Sequence, residues 1–173
     1  MSNTAQPAPA FVAILMGSDS DLPIMQAAFD VLKKFDIPFE AKISSAHRTP
    51  AATHDYVTDA EKRGCVAFIA AAGMAAHLAG AVAANTLKPV IGVPINSSLD
   101  GLDALLSTVQ MPAGIPVASV AIGKAGAKNA AYLAAQIIGV FDPRIAAALK
   151  AERAANAAEV IAKDAALQVQ LAQ

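Results

Sequence analysis

The sequence predicts an α/β protein: a three-layer α/β/α domain built on a parallel sheet and followed by a long C-terminal helix. Three observations lead there. From Phe11 onward, short apolar runs alternate with helix-type stretches. Most of the runs are near-continuously apolar, as strands covered on both faces are. Their spacing leaves room for right-handed strand–helix–strand crossovers, which put helices on both sides of a sheet. With 173 residues, 55% hydrophobic and 16% charged, the chain has the material for one well-packed domain.

The elements follow in order. Residues 1–10, rich in Pro, Ala and small polar residues, read as a flexible tail. The expected strands are FVAILM (11–16), FEAKIS (39–44), VAFIAA (66–71), VIGV (90–93) and VASVAI (117–122). After the first, Ser20 or Asp21 caps a helix with Pro23 in its first turn and a stripe of Ile24, Ala28, Val31, Leu32 and Phe35. Pro50 opens the next helix. Leu102, Leu105, Leu106 and Val109 recur at i, i+3, i+4 and i+7, and Ala130, Leu133, Ala134, Ile137 and Ile138 repeat the pattern. The α/β domain is expected to span 11–142. In the remainder, 143–173, Asp142 caps an Ala-rich helix with Pro143 in first position, and Glu159 pairs with Lys163. Its apolar side chains are too sparse for a separate core, so this extension is expected to pack on its own or a neighbouring subunit.

Composition excludes several function classes. Lys+Arg of 13 against Asp+Glu of 14 leaves a net charge of −1, with no Trp and 5% aromatic residues. Neither a broad basic surface nor a base-stacking platform is available, so no nucleic-acid partner is expected. Cys65 is the only cysteine, which rules out an internal disulfide and a cysteine-based zinc cluster. The start, MSNTAQPAPAF, lacks a basic segment followed by an apolar one, so no secretory signal and a cytoplasmic location are expected. The uncharged stretch from Cys65 to Leu87 is mostly Ala and Gly and includes His77, Asn85 and Thr86. It reads as a buried strand, loop and helix, and no membrane span is expected.

In an open parallel sheet, ligands bind beyond the carboxyl ends of the strands, so the loops that follow strands hold the candidate residues. The first is GSDSD (17–21): Gly17 allows close backbone approach, Ser18 and Ser20 offer hydroxyls, and the next helix presents free N–H groups. That suits a phosphate, with Asp21 suited to sugar hydroxyls. An ordinary capped turn accounts for the segment equally well. The second is SSAHRTP (44–50), where His47 supplies the side-chain type suited to acid–base work without special tuning, Arg48 offers a planar fork for phosphate oxygens and Ser45 adds a hydroxyl. A structural histidine is the competing reading. The third is AAGMAAHLAG (71–80), where Gly73 and its small neighbours form a pocket floor. From the residues alone, His77 reads best as a satisfied core histidine. His54, on a polar helix face, is given no role. A fourth stretch, from PINSSLDG (94–101) to residue 131, places Ser97, Ser98, Gln110, Pro112, Gly114 and Pro116 in rigid loops near the same edge. Lys124 and Lys128 read as solvated.

These segments carry a resemblance. MGSDSD (16–21), SAHRTP (45–50), AAH (75–77) with Leu78 and Gly80, GVP (92–94), VQMPAGIPV (109–117) and AIGKAGAKNAA (121–131) resemble the PurE family. That family comprises the N5-carboxyaminoimidazole ribonucleotide mutases of bacterial purine biosynthesis. The likeness covers roughly residues 11 to 142, and SAHRTP together with the MPxGIPV segment makes it specific. It implies a flavodoxin-like subunit, a homo-octamer and a small phosphoribosyl aminoimidazole substrate. It further implies that Ser18 and Arg48 hold the phosphate, Asp21 the ribose, and His47 acts as general acid and base. The Gly73–His77 loop would enclose the carboxylate or the released carbon dioxide. Gly17, Ser20, Ser45, Gly73, Met74, His77 and Leu78 complete the expected substrate-binding set. No metal and no other cofactor is implied. The family's third loop reads GAGGAAHLPG, so Met74 here replaces a glycine and Ala79 a proline.

Within that resemblance, Arg48 and His77 favour the mutase over the related animal-type enzymes, which carboxylate aminoimidazole ribonucleotide directly and carry SAHK. A non-enzymatic module binding a phosphorylated ligand is the rival from another class; it would leave His47 dispensable. An interaction protein built on the C-terminal helix would leave the two polar strand-end loops unexplained.

Overall fold

In the computed structural model, which describes residues 10–172, the five expected strands form one sheet in the order β2-β1-β3-β4-β5. The expected tail falls on residues 1–9, outside the described residues, apart from Ala10. The strands are β1 (Phe11–Met16), β2 (Phe39–Ile43), β3 (Cys65–Gly73), β4 (Val90–Ile95) and β5 (Ala118–Ser119), and every pairing is parallel. This is the flavodoxin-like order, in which the chain leaves β1 toward one edge and returns to β3 on the other side. The switch point therefore lies between the carboxyl ends of β1 and β3.

β1 is buried on both faces because helices cover both. Phe11, Ala13 and Leu15 join Phe68 and Ala70 of β3 in a core with Val57 and Ala60 of α2 (Pro50–Lys62) and Leu78 and Val82 of α3 (Leu78–Ala83). The alternate residues Val12, Ile14 and Met16 are equally buried and, by strand periodicity, face the other side. On that side α1 (Leu22–Lys34) buries Met25, Ala28 and Leu32, and Phe29 stacks on Phe39 with centroids 5.2 Å apart. Phe35 meets Tyr132 of α5 (Gly123–Gly139) edge-on at 5.8 Å. α1 ends in a Schellman turn: Asp36 N–H donates to Lys33 O and Ile37 N–H to Leu32 O, with Asp36 at φ 52°. Replacing Asp36 with glycine is expected to raise the unfolding free energy by roughly 0.5–1 kcal/mol, read by denaturant titration.

Two local expectations are corrected, and the face of one helix is located. VASVAI gives only the two-residue β5, because the chain turns early into α5. There the Ala121 carbonyl packs against Gly126, a position where any Cβ would overlap it. The helix α4 (Leu102–Val109) forms where expected, yet its stripe points outward: Ala104 and Thr108 are buried, while Leu102, Leu106 and Val109 are 52%, 48% and 46% exposed. Asp21 stands at the N-cap of α1 but makes no side-chain cap there, since its carboxylate turns back to Ser18.

The chain divides into two compact units between Ala134 and Ala135. The second unit holds the end of α5 and the helix α6 (Pro143–Leu171). Asp142 caps α6 as expected, accepting from the N–H groups of Arg144 and Ile145, and Lys163 pairs with Glu159 at 2.6 Å. From Arg153 to Ala172 every residue of this unit is exposed. Among the described residues, no helix is long and apolar enough to cross a membrane.

Candidate active site

The loop after β1 is a single 3-10 turn, Asp19–Asp21, closed by a reciprocal capping box. Ser20 N–H donates to Ser18 Oγ at 3.3 Å, and Ser18 N–H donates to Asp21 Oδ2 at 3.2 Å. The turn is thereby rigid, and it leaves Asp21 only 5% exposed. Burial pushes the Asp21 carboxyl above its usual range, against the opposing pull of hydrogen bonds from Ser18, Ser20 and Gly17. A buried acid held in this way faces the cavity as a directional partner for hydroxyl groups.

The loop after β2 is pinned at both ends. Ser44 and Thr53 share a buried hydroxyl hydrogen bond of 2.7 Å, tying the strand end to α2. Ser45 O accepts from Thr49 N–H at 2.8 Å, and Ser45 Oγ accepts from Arg48 N–H at 3.2 Å. The Arg48 guanidinium then reaches across to the first loop, where Nη2 donates to Gly17 O at 3.2 Å. His47 and Arg48 are both exposed to the cavity rather than packed inside the subunit.

The loop after β3 carries the sharpest backbone demand. Gly73 sits where a Cβ would come within 3.3 Å of Ile95 O, so the floor of the cavity is backbone drawn close to β4. Met74 follows at φ 54°, a left-handed conformation uncommon for a large side chain, and is 57% exposed. His77 is not a core residue. It is exposed at the N-cap of α3, and its Nδ1 lies 2.9 Å from Nε2 of His47. The two rings meet edge-to-face at 84° with centroids 5.0 Å apart.

All eleven candidate residues line one cavity of about 690 Å³ at the carboxyl ends of β1 to β4. They are Gly17, Ser18, Ser20, Asp21, Ser45, His47, Arg48, Gly73, Met74, His77 and Leu78. Ser97, expected near this edge, also lines it from the loop after β4, and so does Asn96, which sequence reasoning did not single out. The strand-end rule alone would have found Asn96, since it directly follows Ile95. The rest of the fourth stretch divides. Gly114 and Pro116 border a different cavity, with Lys88, Pro89 and Val90 at the start of β4. A chain returning from α4 to β5 must pass that opposite edge of the sheet. His54, assigned no role, is held by Asn85 at 2.7 Å.

A cavity at the switch point of a doubly wound sheet, with an arginine, serine hydroxyls, a buried acid and an imidazole, defines a small-molecule site suited to a phosphorylated sugar. The chain belongs to the AIR carboxylase family, whose model matches residues 11–159. It is 57% identical over 143 residues to a Pyrococcus abyssi protein named N5-carboxyaminoimidazole ribonucleotide mutase, covering 82% of this chain and 81% of the other. A Mycobacterium leprae protein of the same name is 54% identical over 158 residues, 91% of each chain. The fold is also similar to the crystal structure of Treponema denticola PurE, with a TM-score of 0.82 and 34% identity over 90% of this chain and 97% of that one.

Proposed function

We propose that this chain is an N5-carboxyaminoimidazole ribonucleotide mutase, moving the substrate's carboxyl group from the exocyclic nitrogen to ring carbon C4 without ATP or metal. The observation that carries the reading is the meeting of His47 with Ser18, Asp21 and Arg48 around one cavity. Ser18 and Arg48 hold the phosphate, with Gly17, Ser20 and Ser45 beside them, and Asp21 receives the ribose hydroxyls. Gly73, Met74, His77 and Leu78 wall the space for the carboxyl group.

The chemistry balances on one imidazole. His47 as imidazolium gives its proton to the departing nitrogen, the N–carboxyl bond breaks, and carbon dioxide is released into the pocket. The enamine carbon C4 attacks it, and neutral His47 removes the C4 proton to restore aromaticity. Imidazole is the side-chain type that can both give and take a proton under mild conditions, so one ring serves both transfers. Holding carbon dioxide against C4 makes recombination intramolecular, which removes much of the entropic barrier. The test is conversion of the N5-carboxylated ribonucleotide to the C4-carboxylated product by pure protein without ATP. Efficient carboxylation of aminoimidazole ribonucleotide at low bicarbonate would instead establish the direct carboxylase.

Asp21→Asn separates function from stability. The folded carboxyl binds its proton more tightly than the unfolded one, whose ordinary value is 3.8. Its contribution to stability is therefore full below that value and is lost as pH rises through the raised one. Above that window the charged carboxylate is a cost, and asparagine, which still accepts from Ser18 N–H, relieves it. The variant is expected to melt no lower than wild type at pH 7 while KM rises about 10–100-fold, the loss of one charge-assisted hydrogen bond.

The same reading includes a cytoplasmic homo-oligomer, with the family's octamer as its form. Two features support assembly: the outward apolar stripe of α4, and exposed Val160, Ile161 and Leu167 along α6. On this reading the 143–173 extension covers its own or a neighbouring subunit. Light scattering at eight times the 17.5 kDa chain mass would support it, and a monomeric mass would contradict it.

A further inference from the structure

Met74 occupies a position that its backbone does not favour. At φ 54° it is left-handed, which crowds Cβ against the carbonyl oxygen and costs free energy in a residue such as methionine. The residues that follow hold it there: Ala76 N–H donates to Met74 O at 2.9 Å and His77 N–H donates to Ala75 O at 2.8 Å, two successive tight turns. The Met74 side chain is exposed, so burial in the core does not offset the strain, and it lines the cavity. Strain kept at a site without a packing gain points to a role toward what the cavity binds. We propose that Met74 is the retaining wall of the mutase pocket: its side chain closes the carboxyl end of the cavity over the freed carbon dioxide, so that the gas meets C4 instead of escaping.

The proposal rests on the mutase reading above and names the group that does the confining. Carbon dioxide carries no charge and no hydrogen to donate, so polar side chains give little hold on it. A barrier across its path is what keeps it in place. The side of the cavity built by β3, β4 and the start of α3 is apolar, lined by Ala72, Gly73, Ala75, Leu78 and Ile95. From Ala70 to Ala76, every residue apart from Met74 is alanine or glycine, too small to reach across an opening. Met74 has the length. It also has the flexibility: an unbranched side chain with three rotatable bonds can move aside for the ribonucleotide and settle back over it. The reaction's balance sets what escape looks like. Once the N–carboxyl bond has broken and the nitrogen has taken its proton, C4 still carries its own. Carbon dioxide lost at that point leaves aminoimidazole ribonucleotide in place of the C4 product. A sulfur contact on the substrate's ring would instead make Met74 a binding group, with a different kinetic signature.

The test compares wild type, Met74→Gly and Met74→Leu. Glycine removes the side chain and accepts the left-handed backbone, whereas leucine keeps the apolar bulk. The readout is how the N5-carboxylated ribonucleotide partitions between the C4-carboxylated product and aminoimidazole ribonucleotide, after subtraction of decay without enzyme. In Met74→Gly the fraction of turnovers ending in aminoimidazole ribonucleotide is expected to rise at least ~10-fold, as recombination ceases to be intramolecular. KM should stay within about threefold of wild type, because the groups proposed to hold phosphate and ribose are untouched. Met74→Leu should partition as wild type does. Met74→Gly should also melt roughly 2–4 °C higher as the backbone strain is relieved, which separates loss of the wall from loss of the fold. An unchanged partition in Met74→Gly would overturn the proposal. So would a raised KM with the partition intact, the mark of a ring contact, or a melting temperature below wild type. Escape in Met74→Leu as large as in Met74→Gly would overturn it too, since bulk would then not be the cause. A wild type that converts nothing would defeat the mutase reading itself, and the proposal with it.

Discussion

His47→Asn is expected to lower kcat by about 10³-fold or more while the protein still folds and still binds a phosphoribosyl ligand. In the proposed mechanism both proton transfers pass through this one ring, so its removal is felt twice in each turnover. Asparagine is the informative replacement. It keeps polar atoms beside His77 and roughly conserves volume, yet it has no proton to give or take near neutrality. Exposure of His47 means that little packing is lost, so the melting temperature should hardly change. A non-enzymatic binding module would tolerate the change. Retained turnover in His47→Asn, measured against wild type, would remove His47 from the chemistry.

Arg48→Gln is expected to reduce kcat/KM by roughly 10²-fold, which amounts to the loss of a bidentate, charge-assisted pair with phosphate. In the proposed binding mode the phosphate is remote from the reacting atoms, and energy gained there helps hold the heterocycle against His47, so kcat is expected to fall along with the rise in KM. Arg48→Lys keeps the charge without the fork and should fall between the two. The guanidinium donates to Gly17 O at 3.2 Å on an exposed surface, so neither change should alter stability much. A kcat/KM within about threefold of wild type for Arg48→Gln would place the phosphate elsewhere, with Ser18 and the N–H groups of the first turn as the remaining anchors.

Much of this was legible from residue order, and the exceptions have physical causes. Continuous apolar runs located β1, β3 and β4 to within a few residues, because burial on both faces leaves no polar positions. The loop residues emerged from one topological rule, since strand ends converge wherever a parallel sheet reverses direction. The α4 stripe was read as apolar from its spacing, which left its direction open. Periodicity reports that a face avoids water, without saying whether a core or another surface covers it. His77 was misjudged because its partner lies 30 residues away in sequence, and nothing local distinguishes a histidine buried under a helix from one reaching across a loop. The capping error at Asp21 has a similar origin. An acidic residue before a helix reads as a cap, but here the carboxylate is drawn back to Ser18 N–H by the preceding turn. The PurE resemblance supplied the roles that residue chemistry alone left open between a capped turn and a phosphate site.

The reaction's confinement to one pocket is tested by following the carboxyl carbon itself. N5-carboxyaminoimidazole ribonucleotide labelled with carbon-13 in its carboxyl group would be converted by the pure protein in excess unlabelled bicarbonate, and the C4 product analysed by mass spectrometry. Transfer within the cavity predicts that the product keeps the label almost undiluted. A product whose carboxyl carbon has equilibrated with the bicarbonate would mean that carbon dioxide leaves and re-enters, and would contradict the account.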